Sequence, residues 1–244
     1  MQLLSFPSPV LGTNCYILAR EGGDQCVVID PGIGVDAQLV ELLEERALRP
    51  AAALVTHGHV DHTYGLAGLC RRWEIPVYIH GADEYRLDDP IGTLGPELAS
   101  ALGALADDWS RPSDVRPLTG DEDLELAGVS VRVMHAPGHT EGSTLYSVDP
   151  PYPAPAPGDG AAAPLDQNAA EPPWLFTGDV LFAGTIGRTD LPGGDTEVMQ
   201  RTLRWLATPE SAGGLPDAMA VLPGHGEGDS LGRQRSVNPF LRDL

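Results

Sequence analysis

The sequence predicts a layered α/β fold, and three observations predict it. Apolar runs of strand length alternate with segments of helical period, and turn residues punctuate the joins. The 244 residues, 42% apolar and 20% charged, are enough for a well-packed core. One domain spanning residues 1–244 is expected, in a fold that needs neither metal nor disulfides to exist.

Taken in order, Cys15 to Ala19 and Cys26 to Ile29 read as paired strands around the turn residues Glu21 to Asp24, with Asp30-Pro31-Gly32 ending the second. Asp36 can cap a helix whose apolar face is Leu39, Leu42, Leu43 and Ala47. A strand from Ala51 to Thr56 then runs straight into His57, followed by a helix near Gly65 to Trp73 and a strand at Pro76 to Ile79. Pro96 suits a first helical turn ahead of Leu98, Leu102 and Leu105. Leu124 to Met134 reads as strand, turn and strand about Gly128, and further strands fall at Ser143 to Val148, Trp174 to Thr177 and Met219 to Leu222. A last helix, about Thr196 to Leu206, buries Met199, Leu203 and Leu206. From Pro150 to Pro173 eight of 24 residues are proline. Such a segment holds no ladder or helix and reads as a surface insertion between two strands, with a lid over the site as its functional alternative.

Composition narrows the partners. The net charge is −20 and every basic residue is arginine, so phosphate backbones and anionic membranes are repelled and no nucleic acid or membrane partner is expected. The first twelve residues lack a basic region and are cut by Pro7 and Pro9, unlike a signal peptide, and no run approaches a membrane span. Three cysteines without a CxxC pair (Cys15, Cys26, Cys70) argue for reduced thiols in the core of a cytoplasmic protein.

The chemistry centres on Thr56-His57-Gly58-His59-Val60-Asp61-His62, where a strand gives way to a loop. Imidazoles with a carboxylate suit zinc, iron or manganese, and residues this close cannot all reach one ion with good angles. The spacing suggests two neighbouring ions, with His57 and His59 facing one and Asp61 and His62 the other. Further candidate ligands stand at other strand ends: His139 in Pro137-Gly138-His139-Thr140, Asp179 in Thr177-Gly178-Asp179, and His225 in Pro223-Gly224-His225-Gly226. Asp179 has two oxygens and could bridge both ions. His80 and His135 read as hydrogen-bonded surface or core residues. Asp30 either supports a ligand from behind or simply turns the chain before Pro31-Gly32. Arg188 and Asp190 either order the loop after Asp179 as an ion pair or touch substrate.

These motifs resemble the metallo-β-lactamase superfamily, and within it the small glyoxalase II-like hydrolases (hydroxyacylglutathione hydrolase family). The likeness also includes Gly12-Thr13-Asn14-Cys15-Tyr16, Val28-Ile29-Asp30-Pro31-Gly32, Gly187-Arg188-Thr189-Asp190 and Asn238-Pro239-Phe240-Leu241. The resemblance implies a four-layer αβ/βα sandwich. It implies one metal on His57, His59 and His139, a second on Asp61, His62 and His225, and Asp179 between them. Zinc is typical of the family, with iron and manganese as alternatives. The implied reaction is hydrolysis of a thioester such as S-D-lactoylglutathione, or a related ester, by a hydroxide bridging two divalent ions, with Asp61 orienting the nucleophile. Larger glyoxalase II enzymes grip glutathione with basic residues of a C-terminal helical domain; here residues 226–244 follow His225 without a lysine. The resemblance therefore speaks to the reaction more than to the thiol. Rival readings are a persulfide dioxygenase with one iron on His57, His139 and Asp179, a lactonase or esterase, and a metal-binding scaffold without catalysis.

Overall fold

The computed structural model describes residues 1–102, 104, 109–149 and 172–244. The first half of the chain builds one sheet: β1 (Gln2–Pro7), β2 (Asn14–Ala19), β3 (Gln25–Ile29), α1 (Asp36–Glu45), β4 (Arg49–Leu54), α2 (Val60–Thr63), α3 (Leu66–Trp73), β5 (Val77–His80), α4 (Pro96–Leu102) and β6 (Val115–Leu118). The second half builds the other: β7 (Glu122–Leu126), β8 (Val129–His135), β9 (Thr144–Val148), β10 (Trp174–Gly178), β11 (Leu181–Phe182), β12 (Thr185–Ile186), α5 (Thr196–Ala207), β13 (Ala220–Pro223), β14 (Asp229–Ser230), α6 (Leu231–Val237) and α7 (Pro239–Arg242).

Among the described residues the two large sheets run β1-β2-β3-β4-β5-β6 and β14-β13-β10-β9-β8-β7, with β11 and β12 a separate hairpin. β3 to β6 pair in parallel through helical crossovers, and β10 pairs in parallel with β13 through α5. Strands buried on both faces must be apolar throughout, which is why β2 and β3 show no alternation. Tyr16, Leu18, Val27, Ile29 and Leu54 meet Val131, Val133, Tyr146 and Phe176 between the sheets. Ile17, Val28 and Ala53 face outward against Leu39 and Leu43 of α1 and Leu66 and Leu69 of α3. Leu145, Leu175 and Val221 face Met199, Leu203 and Leu206 of α5 with Leu231 and Leu241. The result is the expected four-layer αβ/βα sandwich.

Three local expectations need correction. Asp36 is the first helical residue and not the cap; the cap position is Val35, which makes no side-chain capping bond and is buried in the core beside Leu39. Apolar packing wins at that entry, and the Asp36 charge still favours the helix N-terminus. Ala47 lies beyond the helix with φ 52°, so α1 ends two residues short of its apolar pattern. Edge strands β1 and β6 escaped the periodicity because each carries a proline, Pro7 and Pro117. Leu105 and residues 150–171 of the insertion, with its lid alternative, lie outside the described residues. Cys15 and Cys26 are buried free thiols and Cys70 is half-buried. No helix among the described residues is long and apolar enough to cross a membrane.

Candidate metal centre

Parallel strands align their C-terminal ends, so the loops after β3, β4, β8, β10 and β13 open along one edge of the sandwich. The loop after β4 carries His57 and His59 and then tightens into α2, a single turn that holds Asp61 and His62. Val60 anchors that turn in an apolar cluster with Ile33, Ile91 and Leu94. The loop after β8 brings His139, the end of β10 brings Asp179, and the loop after β13 brings His225.

Three imidazole nitrogens converge first. His57 Nε2 lies 3.0 Å from His59 Nδ1, and His139 Nε2 lies 3.1 Å from the former and 3.0 Å from the latter. The other ring nitrogens fix the tautomers. His139 Nδ1 donates to the Arg188 carbonyl at 2.7 Å. The Thr56 hydroxyl donates to Asp30 Oδ2 at 2.7 Å, which leaves its oxygen to accept from His57 Nδ1 at 3.2 Å. His57 and His139 therefore present unprotonated Nε2 atoms to each other, while His59 points Nδ1 inward and buries Nε2 without a partner among the described residues. Lone pairs so close repel, and a divalent cation among them turns that repulsion into ligation. Tetrahedral zinc with bonds of about 2.0–2.1 Å sets its nitrogens roughly 3.3 Å apart, close to the spacing found.

A second group stands beside the first. His225 Nε2 lies 3.2 Å from Asp61 Oδ2, and His62 Nε2 lies 3.7 Å from the same oxygen. His62 Nδ1 donates to Asp30 Oδ2 at 2.9 Å, which turns its Nε2 toward Asp61 and Asp179. Asp179 spans both groups, with Oδ1 3.3 Å from His62 Nε2 and Oδ2 3.7 Å from His139 Nε2 and 3.6 Å from His225 Nε2. The sets His57/His59/His139, His57/His62/Asp179 and Asp61/His62/His225 each gather ligand atoms within 4.8 Å of one another. All seven residues singled out from the sequence thus meet, and their donor chemistry fits two divalent cations.

The electrostatics agree with that use. Burial drives the His57 pKa well below its usual value and that of His59 down to about 3, with neighbouring imidazoles adding to both. Burial also lowers His139 against the pull of Asp179. These rings are neutral at pH 7 and so could each offer a lone pair to a metal ion. His62 is the exception: burial disfavours its cation, but Asp179, Asp61 and Asp30 outweigh it and raise the pKa well above normal. Burial likewise opposes the Asp61 and Asp179 carboxylates, yet His62 and the other imidazoles hold both below the ordinary range. A proton on His62 stands where a second cation would bring charge of the same sign.

Several supporting residues were not singled out. Thr13 donates its hydroxyl to Asp61 Oδ2 at 3.0 Å, and its backbone bridges to His225. Asn14 donates its amide to the Pro223 and Gly226 carbonyls, and the Tyr16 hydroxyl also donates to Pro223. The first loop of the chain thereby holds the last ligand. Asp83, fully buried, accepts from Gly58 N, Gly142 N and the Thr140 hydroxyl at 2.7–2.8 Å, tying the first ligand loop to the loop of His139. Beside it the buried Arg86 pairs with Asp83 and Glu141 and donates to the Pro192 carbonyl. In sequence Asp83 and Arg86 sit in a polar stretch, Gly81 to Asp89, that reads as surface. Only the inclusion of Thr13 and Asn14 in the family-like motif Gly12 to Tyr16 offered a signal.

The remaining candidates fall nearby. Asp30 turns the chain at φ 51° and accepts from His62 Nδ1 and from the Thr56 backbone and hydroxyl. Arg188 and Asp190 form a two-pronged ion pair at 2.6 and 2.7 Å, and Arg188 also lines a cavity of about 450 Å³ that opens on His59, Asp61, His139, Asp179 and His225. His80 and His135 lie outside the centre, stacked on one another at 3.9 Å between ring centroids.

With that geometry in view, comparison with known proteins gives consistent results. A family model described as the metallo-beta-lactamase superfamily matches residues 8–151. An uncharacterized protein of Mycobacterium tuberculosis is 36% identical over 247 residues, covering 100% of this chain and 99% of that one. A probable metallo-hydrolase of Bacillus subtilis is 30% identical, covering 99% and 98%. A hydroxyacylglutathione hydrolase of Haemophilus influenzae is 29% identical, covering 99% and 98%. Among solved structures, a B3 metallo-beta-lactamase and a protein in a di-iron-bound form each superpose with a TM-score of 0.72 at 30% identity. Each covers 98% of this chain, and the chain covers 99% and 100% of them.

Proposed function

The chain belongs to the metallo-beta-lactamase superfamily, whose members are mostly metal-dependent hydrolases, and from that premise we propose a glyoxalase II-like hydrolase that holds two divalent ions and cleaves a thioester such as S-D-lactoylglutathione. The observation that carries the reading is the pair of ligand groups joined by Asp179. A mononuclear persulfide dioxygenase would use His57, His139 and Asp179, and the convergence of His59, Asp61, His62 and His225 beside them favours two metals instead.

His57, His59 and His139 would hold one ion, Asp61, His62 and His225 the other, with Asp179 shared. Such ions, when bound, lower the pKa of a coordinated water from its bulk value to roughly 7 and polarise a carbonyl. The protein's own part is to fix geometry. Asp61, held ionised by the imidazoles around it and oriented by Thr13, would align the attacking water against the carbonyl. The buried hydrogen bonds from His62 to Asp30 and from His139 to the Arg188 carbonyl keep the rings from rotating. A thiolate leaves without prior protonation because a free thiol has a pKa of about 8.5, far below that of an amine. Zinc, iron and manganese all suit this donor set, and the di-iron form of a structural relative makes iron a real contender beside zinc.

Metal analysis of the purified chain together with hydrolysis of S-D-lactoylglutathione tests the proposal. About two first-row ions per chain and thioester turnover that chelation abolishes are expected. Full activity after exhaustive chelation, or oxygen uptake with glutathione persulfide in place of hydrolysis, would overturn it.

A further inference from the structure

The cavity over the ligands has a wall of unusual uniformity. Leu94, Leu98 and Leu102 form one side and Leu11, Val60 and Phe182 complete it. Leu94, Leu98 and Leu102 pack with Val60, the residue immediately before Asp61, so the apolar surface begins one residue from a ligand. Leu11 sits at φ 65°, a backbone region that is costly for leucine, and its side chain is 57% exposed. An exposed leucine on a strained loop at a cavity mouth gains nothing from the folded core. It extends the apolar lining to the cavity mouth, where an entering apolar group would meet it.

Charge points the same way. Among the described lining residues the cation is Arg188, and Asp190 already takes its guanidinium through two bonds. Arg86 is committed to Asp83 and Glu141. The chain as a whole carries −20 and no lysine, and among the described residues lining the cavity no arginine but Arg188 is present to grip an anionic thiol away from the metals.

Resting on the thioester-hydrolase reading, we propose that the substrate is a thioester of an uncharged aliphatic acyl chain on a thiol without net negative charge, the acyl chain lying along Leu94, Leu98 and Leu102. Hydrolysis forms a bond from water oxygen to the carbonyl carbon and breaks the carbon–sulfur bond; the acid and the thiol share the two protons of water, and nothing is oxidised or reduced. A cavity of about 450 Å³ lies within the range of roughly 300–1,000 Å³ typical of small-molecule sites.

The experiment compares acetyl, butyryl and hexanoyl thioesters of N-acetylcysteamine, a neutral thiol, with S-D-lactoylglutathione on the same metal-loaded preparation. Burial of a methylene corresponds to about a fourfold gain. kcat/KM is therefore expected to climb by up to about fourfold per carbon, with hexanoyl above lactoylglutathione. In Leu98→Asn and Leu102→Asn the hexanoyl-to-acetyl ratio should fall by tenfold or more. A flat series in the wild type, or a preference for lactoylglutathione that Arg188→Gln abolishes, overturns the acyl proposal while leaving thioester hydrolysis standing. Failure of every thioester would remove both.

Discussion

Replacing Asp30 by asparagine changes one oxygen to an amide nitrogen, and the hydrogen bonds say what must follow. Asp30 Oδ1 accepts from Thr56 N at 2.8 Å, while Oδ2 accepts from the Thr56 hydroxyl and from His62 Nδ1. Thr56 N can only donate, so the asparagine oxygen takes the Oδ1 place and its NH2 takes the other. One amide hydrogen then points at His62 Nδ1, which must become an acceptor and move its proton to Nε2. The second points at the Thr56 hydroxyl, which turns and donates to His57 Nδ1, so that His57 also carries its proton on Nε2. Both protons now occupy lone pairs that face the metals. A lost supporting contact of this kind costs 10- to 100-fold in metal affinity. Two together give about 10²- to 10⁴-fold, roughly 3–5 kcal/mol. Asparagine tolerates φ 51°, and loss of the carboxylate that faces the protonated His62 of the apo-protein should cost about 1–3 kcal/mol in urea unfolding. Chelator competition measures the affinity. An Asp30→Asn protein that binds both ions within threefold of wild type would refute the proton relay.

The other expectations concern supports that lie farther out. Asp83→Ala leaves the buried Arg86 with Glu141 and the Pro192 carbonyl and frees the loops of Gly58 and His139, so unfolding stability should drop by about 3–5 kcal/mol; a urea midpoint unchanged from wild type would contradict it. Thr13→Val removes the hydrogen bond that orients Asp61 and should lower kcat about 10- to 100-fold with the thermal midpoint held within a few degrees. Gly178→Ala drives a Cβ into the Thr56 hydroxyl at φ 49°, and urea unfolding should show a loss of about 2–4 kcal/mol. Cys15 and Cys26 should resist thiol reagents at pH 8 until the chain unfolds, since burial raises both and puts Cys26 at about 12. A folded pKa above the unfolded value of about 8.5 means that this stability is whole below pH 8.5 and is lost as pH rises toward 12. Up to about 1.4 kcal/mol per pH unit per thiol is involved, and comparison with a Cys15→Ala/Cys26→Ala chain at pH 8 and 10 measures it.

What could be read from the sequence followed from how physical signals are written in it. β2, β3, β4 and β10 are buried on both faces, so their apolar runs stand out, and the last three lead into polar residues that stood out against them: Asp30, His57 and Asp179. His62 and His59 were visible by density alone. The supports were hidden because their burial is a tertiary fact. Asp83 and Arg86 neutralise one another inside the protein, and nothing in Gly81 to Asp89 separates that from a solvated turn. Thr13 contacts Asp61 across 48 positions of sequence. The acyl-facing wall was partly legible, since Leu98 and Leu102 were assigned to a helix, but which cavity that helix walls depends on Val60 and the turn at Leu94.

Anomalous diffraction from crystals of the metal-loaded protein, collected on both sides of the absorption edge, tests the centre itself. Two peaks are expected, one among His57, His59 and His139 and one among Asp61, His62 and His225, with Asp179 touching both. A single peak, or none at these seven side chains, would contradict the two-ion hydrolase.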